Sequence, residues 1–167
     1  MRLRELKIKD APYMLEWMHD ENVLFGLQGE KFINNTLQDC KSFIEFCADD
    51  EKNIHRAIVD ENDIYMGTVS LKHITEKDAE FAIVIRSCAM GKGYSSFGMR
   101  EIIRIGHEEK GLKEIYWGVL KDNIRGLKFY DKNLYSRSIP HREWTAFRIS
   151  AYDEAGINCR IWYLSKK

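Results

Sequence analysis

The chain has 167 residues, of which 44% are apolar and 31% charged, and its 26 Lys and Arg residues balance 26 Asp and Glu residues. This size and composition predict one globular domain over residues 1–167, and the balanced charge argues against a nucleic-acid partner. The four cysteines form no Cys-x-x-Cys pair, the first residues lack an apolar signal segment, and no apolar run reaches transmembrane length. We therefore expect a cytoplasmic protein with reduced thiols and no membrane partner.

The first fifty residues predict a strand within 2–8 and two helices. Asp10 is expected to cap the first helix, with Pro12 in its first turn, where a missing N–H costs nothing. Residues 21–35 are predicted to be irregular. Thr36 and Asp39 have the spacing of a capping box that begins the second helix. The side chains of this helix expected to face the core recur at helical spacing: Leu37, Cys40, Phe43, Ile44 and Cys47.

Apolar runs at 54–59, 64–74, 79–86 and 112–120 predict four further strands. Polar turns at 60–63 and 75–78 separate the first three strands. Gly111 follows a helical segment as its C′ residue. The tail predicts a closing hairpin, with strands at 144–152 and 157–164 around a turn at 153–156. The fold class is therefore α/β (α+β), with a mixed, mostly antiparallel sheet and about four helices.

A short glycine loop follows the strand at 79–86 and precedes a helical pattern. Gly91 and Gly93 let an anion approach backbone N–H groups at the positive end of a helix. Since Lys92 is followed by Gly93 rather than Ser or Thr, the loop is no P-loop, and Ser96 breaks the Gly-x-Gly-x-x-Gly pattern. The loop alone is equally compatible with an ordinary tight turn.

A second segment repeats the order of strand, turn and helix. After the strand at 112–120, Asp122 or Asn123 is placed to cap a short helix. Leu127 and Tyr130 lie three residues apart on this helix and therefore share one face.

Together these segments resemble the GNAT superfamily of acyl-CoA-dependent N-acetyltransferases. The family loop pattern Gln/Arg-x-x-Gly-x-Gly/Ala is matched by residues 88–93, except that Cys88 occupies the first position. The family's later Asn and Tyr, seven residues apart, are matched by Asn123 and Tyr130, with Gly126 in place of the usual Ala. Residues 65–71 and 79–81 resemble the branch that acts on ribosomal-protein N-termini, polyamines and amino sugars. Cys88 is expected to weaken one phosphate contact, and Gly126 to loosen the helix by about 1 kcal/mol.

The resemblance implies that strands 79–86 and 114–120 splay apart and hold acetyl-CoA between them. It implies that backbone groups of one strand and Asn123 bind the pantetheine arm, and that the glycine loop binds the pyrophosphate near the solvated charge of Lys92. No metal is implied. The cofactor-binding residues expected on this basis are Ile83, Val84, Ile85, Met90, Gly91, Lys92, Gly93, Tyr94, Ser95, Ser96 and Asn123.

Acetyl transfer needs a deprotonated amine, a stabilised oxyanion and a proton for the departing thiolate. Tyr130 is the predicted general acid, although an amphipathic core tyrosine has the same pattern. The sequence does not identify the general base: Glu80 is the least implausible carboxylate, and an outward-facing strand residue explains it at least as well. Further candidates for the base are His19, Glu30, His73 and His141.

The predicted function is transfer of an acetyl group from acetyl-CoA to a primary amine of a small molecule, such as an amino sugar or polyamine, or to a protein N-terminus. Acceptor contacts are expected from loops 19–35 and 134–145. Trp17, His19, Phe25 and Glu30 are candidates for lining the acceptor side, although an apolar helix face explains Trp17 equally well. The resemblance is also compatible with a homodimer. Two alternatives remain from the sequence: a catalytically silent acyl-CoA-binding or sensory module, and a nucleotide-binding protein that uses Gly91 and Gly93.

Overall fold

The computed structural model describes residues 1–25, 27, 32–138 and 154–167, and these residues form a seven-stranded sheet flanked by helices. The strand order across the sheet is β1-β2-β3-β4-β5-β7-β6, and all neighbours are antiparallel except the parallel pair β4 and β5. The mixed, mostly antiparallel sheet predicted from the sequence is confirmed. The strands are β1 (Arg2–Glu5), β2 (Ile54–Val59), β3 (Tyr65–Lys72), β4 (Asp78–Ile85), β5 (Glu114–Leu120), β6 (Ser136–Arg137) and β7 (Arg160–Lys166).

Six α-helices lie within the described residues, two more than the four expected. They are α1 (Ala11–Met18), α2 (Glu21–Leu24), α3 (Leu37–Ala48), α4 (Tyr94–Arg104), α5 (Ile124–Lys132) and α6 (Glu154–Asn158). The prediction that 21–35 is irregular was wrong at its start, because Asp20 caps α2 by accepting a hydrogen bond from the Asn22 N–H at 2.9 Å. The capping box of Thr36 and Asp39 on α3 is confirmed.

The sheet separates two apolar clusters, as the alternation along β2 illustrates. Ala57 and Val59 pack with residues of α1 and α3, whereas Ile58 packs with α4 and β5. Successive strand side chains point to opposite faces, so one strand serves both clusters. Helices α1 and α3 therefore cover one face of the sheet and α4 covers the other.

Three local expectations were wrong. The Asp10 carboxylate does not cap α1; it is 1% exposed and accepts two hydrogen bonds from the Arg4 guanidinium, at 2.7 and 2.8 Å. Leu37 and Phe43 of α3 do not face the core, since they are 38% and 37% exposed.

The tail also differs from the predicted hairpin. The turn expected at 153–156 is occupied from residue 154 by helix α6, and β7 begins later than expected, at Arg160. Strand β7 pairs with β5 and with the short β6. The strand expected at 144–152 lies outside the described residues.

The central strands β4 and β5 pair over only three residues each, Asp78 to Glu80 against Glu114 to Tyr116. Strand β4 continues to Ile85 and β5 to Leu120, with β4 still paired to β3 on its other edge. Beyond the three pairs the two strands diverge, as the family resemblance implied. Their divergence opens the sheet in the middle and positions the site.

Candidate active site

A cleft of about 580 Å³ lies between the diverging strands β4 and β5. Residues 80–85 of β4 line one wall and residues 117–120 of β5 line the other. At about 3.3 Å per residue, the wall formed by β4 is roughly 16 Å long. We call the end where the strands still pair the closed end, and the end near Ile85 and Leu120 the open end.

Tyr130 of α5 lies at the closed end, among aromatic rings. It is 8% exposed, and its ring centroid lies 5.3 Å from that of Trp117, 5.0 Å from Phe129 and 5.2 Å from Tyr163. Burial raises the pKa of the Tyr130 phenol, so the hydroxyl keeps its proton at neutral pH. Tyr130 is thus both a packing residue and part of the cleft wall.

Glu80 also lies at the closed end. The residue is 4% exposed and faces inward, so the outward orientation considered from the sequence is wrong. The Glu80 carboxylate contacts two residues at the end of β3: Oε2 lies 3.0 Å from His73 Nδ1, and Oε1 lies 3.7 Å from Lys72 Nζ. All three side chains line the cleft.

The glycine loop lies at the open end, between β4 and α4. Gly91 and Gly93 have φ values of +73° and +86°, a region that L-residues rarely adopt, and Gly93 immediately precedes α4. A Cβ at Gly91 would meet no atom within 4 Å, and one at Gly93 would meet only the Met1 side chain at 3.8 Å. The loop therefore leaves open space above the N-terminus of α4, where an anion is favoured.

Helix α5 begins at the same end of the cleft. Asn123 caps it, since its Oδ1 accepts a hydrogen bond from the Gly126 N–H at 2.9 Å. A Cβ at Gly126 would lie 2.9 Å from Asn123 Nδ2, so the glycine that replaces the family's usual alanine gives the Asn123 amide its room. Asn123 therefore both caps the helix and lines the cleft.

The structure brings ten of the predicted site residues to the cleft wall: His73, Glu80, Ile83, Val84, Ile85, Met90, Gly91, Ser95, Asn123 and Tyr130. Lys92, Gly93, Tyr94 and Ser96 belong to the same loop and first helical turn but do not form the wall. Trp17 is a core residue, 5% exposed, whose Nε1–H donates to the Tyr65 hydroxyl at 3.3 Å, and Phe25 is 70% exposed. Instead, Val23, Leu27 and Phe32 line this side of the cleft. Glu30 and His141 lie outside the described residues.

Sequence reasoning missed Arg125, which lines the cleft in the first turn of α5. Its guanidinium donates to the Asn22 carbonyl oxygen at 3.0 Å and lies 3.0 Å from the Met90 sulfur. The sequence did contain a signal for Arg125. A cation in the first turn of a helix is unfavourable because it lies at the positive end of the helix dipole, so its presence there suggests a role outside the helix. Trp117 was also missed, since its strand pattern indicates only burial.

No group of three or more His, Cys, Asp or Glu side chains suited to a metal ion occurs in the part of the chain that the structure describes. Among those same residues, no helix has the length and apolar character needed to cross a bilayer.

A mixed sheet opened between two parallel strands, with a glycine loop at one end of the opening and a tyrosine at the other, defines an acyl-CoA-dependent acyltransferase. The sequence profile of the Acetyltransferase (GNAT) domain matches residues 1–133. The chain belongs to the GNAT acetyltransferase family, which confirms the predicted family, the enzyme class and acetyl-CoA as co-substrate.

Solved structures share the fold at low sequence identity. Spermidine N-acetyltransferase from Vibrio cholerae, in complex with CoA and spermine, superposes with a TM-score of 0.73 at 15% identity, covering 98% of this chain and 92% of that one. The PaiA N-acetyltransferase from Thermoplasma acidophilum, in complex with coenzyme A, gives 0.72 at 16% identity, covering 99% and 98%. The Campylobacter jejuni N-acetyltransferase PseH, in complex with acetyl coenzyme A, gives 0.64 at 18% identity, again covering 99% and 98%. No curated protein matches the chain in sequence.

Proposed function

We propose that this protein transfers the acetyl group of acetyl-CoA directly to a primary amine of a small molecule, with Tyr130 as general acid. The observation that carries the proposal is that one continuous cleft joins the glycine loop to Tyr130 and Glu80. An acyl-CoA molecule is long, and such a cleft lets its phosphates and its thioester be bound at opposite ends. The alternative, a catalytically silent acyl-CoA-binding or sensory module, would not require the Tyr130 hydroxyl or the Glu80 carboxylate at the closed end.

In this proposal the pyrophosphate lies at the open end against backbone N–H groups of the glycine loop and the first turn of α4. The pantetheine arm follows the edge of β4 that faces β5, where the ladder between the two strands has ended at Glu80. Backbone groups of Ile83, Val84 and Ile85 bind the arm there, and Asn123 binds it from the other wall. The thioester then reaches the closed end beside Tyr130.

The reaction requires few protein groups. The neutral amine attacks the thioester carbonyl carbon, the carbon–sulfur bond breaks, and the sulfur leaves with the electron pair of that bond. The Tyr130 hydroxyl donates a hydrogen bond and then its proton to the departing sulfur. The attacking nitrogen, which is cationic once its bond to carbon has formed, loses one proton to give the neutral amide, and one proton from solvent restores the Tyr130 hydroxyl. The raised pKa of Tyr130 keeps this donor protonated at neutral pH.

The charges on the cleft wall favour an acceptor with a single amine over a polyamine. Among the described lining residues, Glu80 is the one carboxylate, and it is accompanied by Lys72, Arg125 and Arg160. A polyamine carries several positive charges that such a wall repels, whereas an amino sugar carries one amine on a neutral or anionic body. A protein N-terminus fits the same charge argument and is the second acceptor class to test.

The test is an assay of thiol release from acetyl-CoA with three acceptor sets: amino sugars, polyamines, and short peptides with free N-termini. We expect release above the hydrolysis background with at least one set, and amino sugars to give a higher kcat/KM than polyamines. Calorimetry with CoA, in the presence and absence of ATP, measures cofactor binding independently. Tight CoA binding without release in any set would favour the silent binding module, and displacement of CoA by ATP would favour a nucleotide-binding protein.

A further inference from the structure

Two residues at the end of β3 enclose the Glu80 carboxylate at the closed end of the cleft. Both carboxylate oxygens are engaged: Oε2 lies 3.0 Å from His73 Nδ1, and Oε1 lies 3.7 Å from Lys72 Nζ. The Glu80 side chain is 5% exposed, whereas the His73 side chain is 42% exposed. The imidazole therefore connects a buried carboxylate with solvent, along the cleft wall.

The backbone holds His73 in place. Its φ of +52° is unusual for a residue other than glycine, and such conformations often accompany function when the surroundings fix them. The His73 N–H donates to Asn53 Oδ1 at 2.9 Å, and the next N–H, that of Ile74, donates to the Lys52 carbonyl oxygen at 2.9 Å. Two hydrogen bonds to acceptors in the loop before β2 thus fix the turn that carries the imidazole.

We propose that His73 is the general base that deprotonates the acceptor amine, and that Glu80 is a positioning residue for it. This inference rests on the proposed acetyl transfer. The contact with Glu80 Oε2 places the hydrogen of the neutral imidazole on Nδ1, so the lone pair is on Nε2. A carboxylate that holds one imidazole nitrogen, so that the other accepts a proton, is a recurrent arrangement in enzymes.

The proton balance is simple. The acceptor ammonium gives one proton to His73 Nε2, which leaves a neutral amine with the lone pair that attacks the thioester. The resulting imidazolium is stabilised by the adjacent Glu80 carboxylate. Because His73 is partly exposed, it returns the proton to water before the next turnover. Glu80 is less suited to this role, since it is almost fully buried and both its oxygens already contact cationic or N–H groups.

Several other charged groups lie on the elements around His73 and belong in any account of its pH dependence. The strands and turns that adjoin His73 carry the following titratable side chains: Asp50, Lys52, Lys72, Glu76, Lys77, Asp78, Glu80, Glu114 and Tyr116. Lys72 and Glu80 contact each other directly, so each substitution must be compared across the whole pH profile rather than at one pH.

The experiment measures kcat/KM against pH for thiol release, with the best acceptor found for the wild-type protein. Histidine side chains as a class titrate between about pH 5 and 8, and activity that depends on such a base rises with pH and then levels. His73→Asn is the main variant, because asparagine tolerates a positive φ and retains a hydrogen-bond donor. We expect its kcat/KM to fall by about 10²–10⁴ at neutral pH and the acidic limb to disappear. His55→Asn is the control, because His55 contacts the Ser70 hydroxyl at 2.8 Å and does not line the cleft; it should keep the acidic limb of the wild-type profile.

Two further variants separate His73 from Glu80. His73→Gly accepts the positive φ and leaves room for added imidazole, which should restore activity in proportion to its concentration. Glu80→Gln should keep the acidic limb, because the imidazole is still present, but should lower kcat/KM at every pH, because the imidazole has lost the carboxylate that positions it.

The proposal is overturned if His73→Asn keeps the wild-type profile, or if Glu80→Gln abolishes the limb while His73→Asn retains it. The latter result would make Glu80 the base. Failure of the acetyltransferase proposal is distinguishable, because it would appear as absence of amine-dependent thiol release in the wild-type protein itself.

Discussion

The two ends of the cleft are built in different ways. At the closed end the groups that we propose to act are side chains, Tyr130, Glu80 and His73, held by contacts with residues distant in sequence. At the open end the proposed groups are backbone N–H donors, placed by Gly91 and Gly93 within a short segment. Substitutions at the closed end should therefore change the chemistry and spare cofactor binding, while substitutions at the open end should do the reverse.

The largest effect is expected at the closed end, from Tyr130→Phe. The variant keeps the ring contacts with Trp117, Phe129 and Tyr163 and deletes only the hydroxyl. If this hydroxyl protonates the departing sulfur, kcat should fall by about 10²–10⁴. The affinity for acetyl-CoA, measured by calorimetry, should hardly change.

Tyr163→Phe is the matched control for this substitution. Tyr163 belongs to the same aromatic cluster, but it does not line the cleft, and its hydroxyl donates to Asp131 Oδ1 at 2.9 Å. We expect it to lower stability by about 0.5–1.5 kcal/mol and to leave kcat unchanged. Wild-type turnover of Tyr130→Phe, under conditions where chemistry limits the rate, would make Tyr130 a packing residue only.

The open end is tested at Gly93. Valine at this position has an unfavourable φ and occupies the space in which we place the pyrophosphate, so Gly93→Val should weaken CoA binding tenfold or more, about 1.4 kcal/mol. Gly93→Asn separates the two causes, because asparagine tolerates the backbone conformation and still fills the space. Calorimetry should show weaker binding for both variants.

Gly111→Asn provides the control for the open end. Gly111 has a similar φ of +72°, and a Cβ there would meet no atom within 4 Å, but the residue precedes β5 and lies outside the glycine loop. CoA binding should be unchanged in this variant. Unchanged affinity in folded Gly93→Asn would remove the loop from the cofactor site.

Asn123 tests whether one residue serves both a helix and the cofactor. Asn123→Asp keeps the oxygen that accepts from the Gly126 N–H and removes the amide donor, whereas Asn123→Ala removes both. Loss of the cap should cost about 1 kcal/mol of stability in Asn123→Ala alone. If the amide also binds the pantetheine arm, both variants should bind CoA several-fold more weakly. Normal affinity of the aspartate variant would leave Asn123 with the cap only.

The features that the sequence predicted well depend on short-range signals. The capping box of Thr36, the positive φ of Gly111 and the glycine loop are each specified within a few residues. The apolar run at 54–59 likewise predicted both ends of β2, which is observed at Ile54–Val59. These are the parts for which local backbone preference and tertiary structure agree.

The features that it missed depend on partners distant in sequence. Asp10 has the local pattern of a helix cap, but Arg4 on β1 binds its carboxylate, so a buried ion pair replaces the cap. From the sequence, His73 was one of four further candidates for the general base. The antiparallel register of β3 and β4 is what places it against Glu80. Phe43 follows the helical period of the core residues, yet it is 37% exposed and its ring forms a T-shaped pair with the His55 ring.

The smallest effect is expected behind the closed end, where Asp131 supports the aromatic cluster through Tyr163. The Arg137 guanidinium, at 2.6 Å, and the Tyr163 hydroxyl hold the pKa of Asp131 below its usual range. A carboxyl group whose pKa is lowered by folding stabilises the protein above its unfolded pKa of about 3.9, and this stabilisation is lost as the pH falls through the folded value. Asp131→Asn should therefore lower Tm slightly at neutral pH and converge with the wild type in acid. Because Asp131 does not line the cleft, kcat should not change. An equal Tm difference at every pH would show that the pair contributes through packing rather than charge, and a change in kcat would show that the closed end depends on this support for its chemistry.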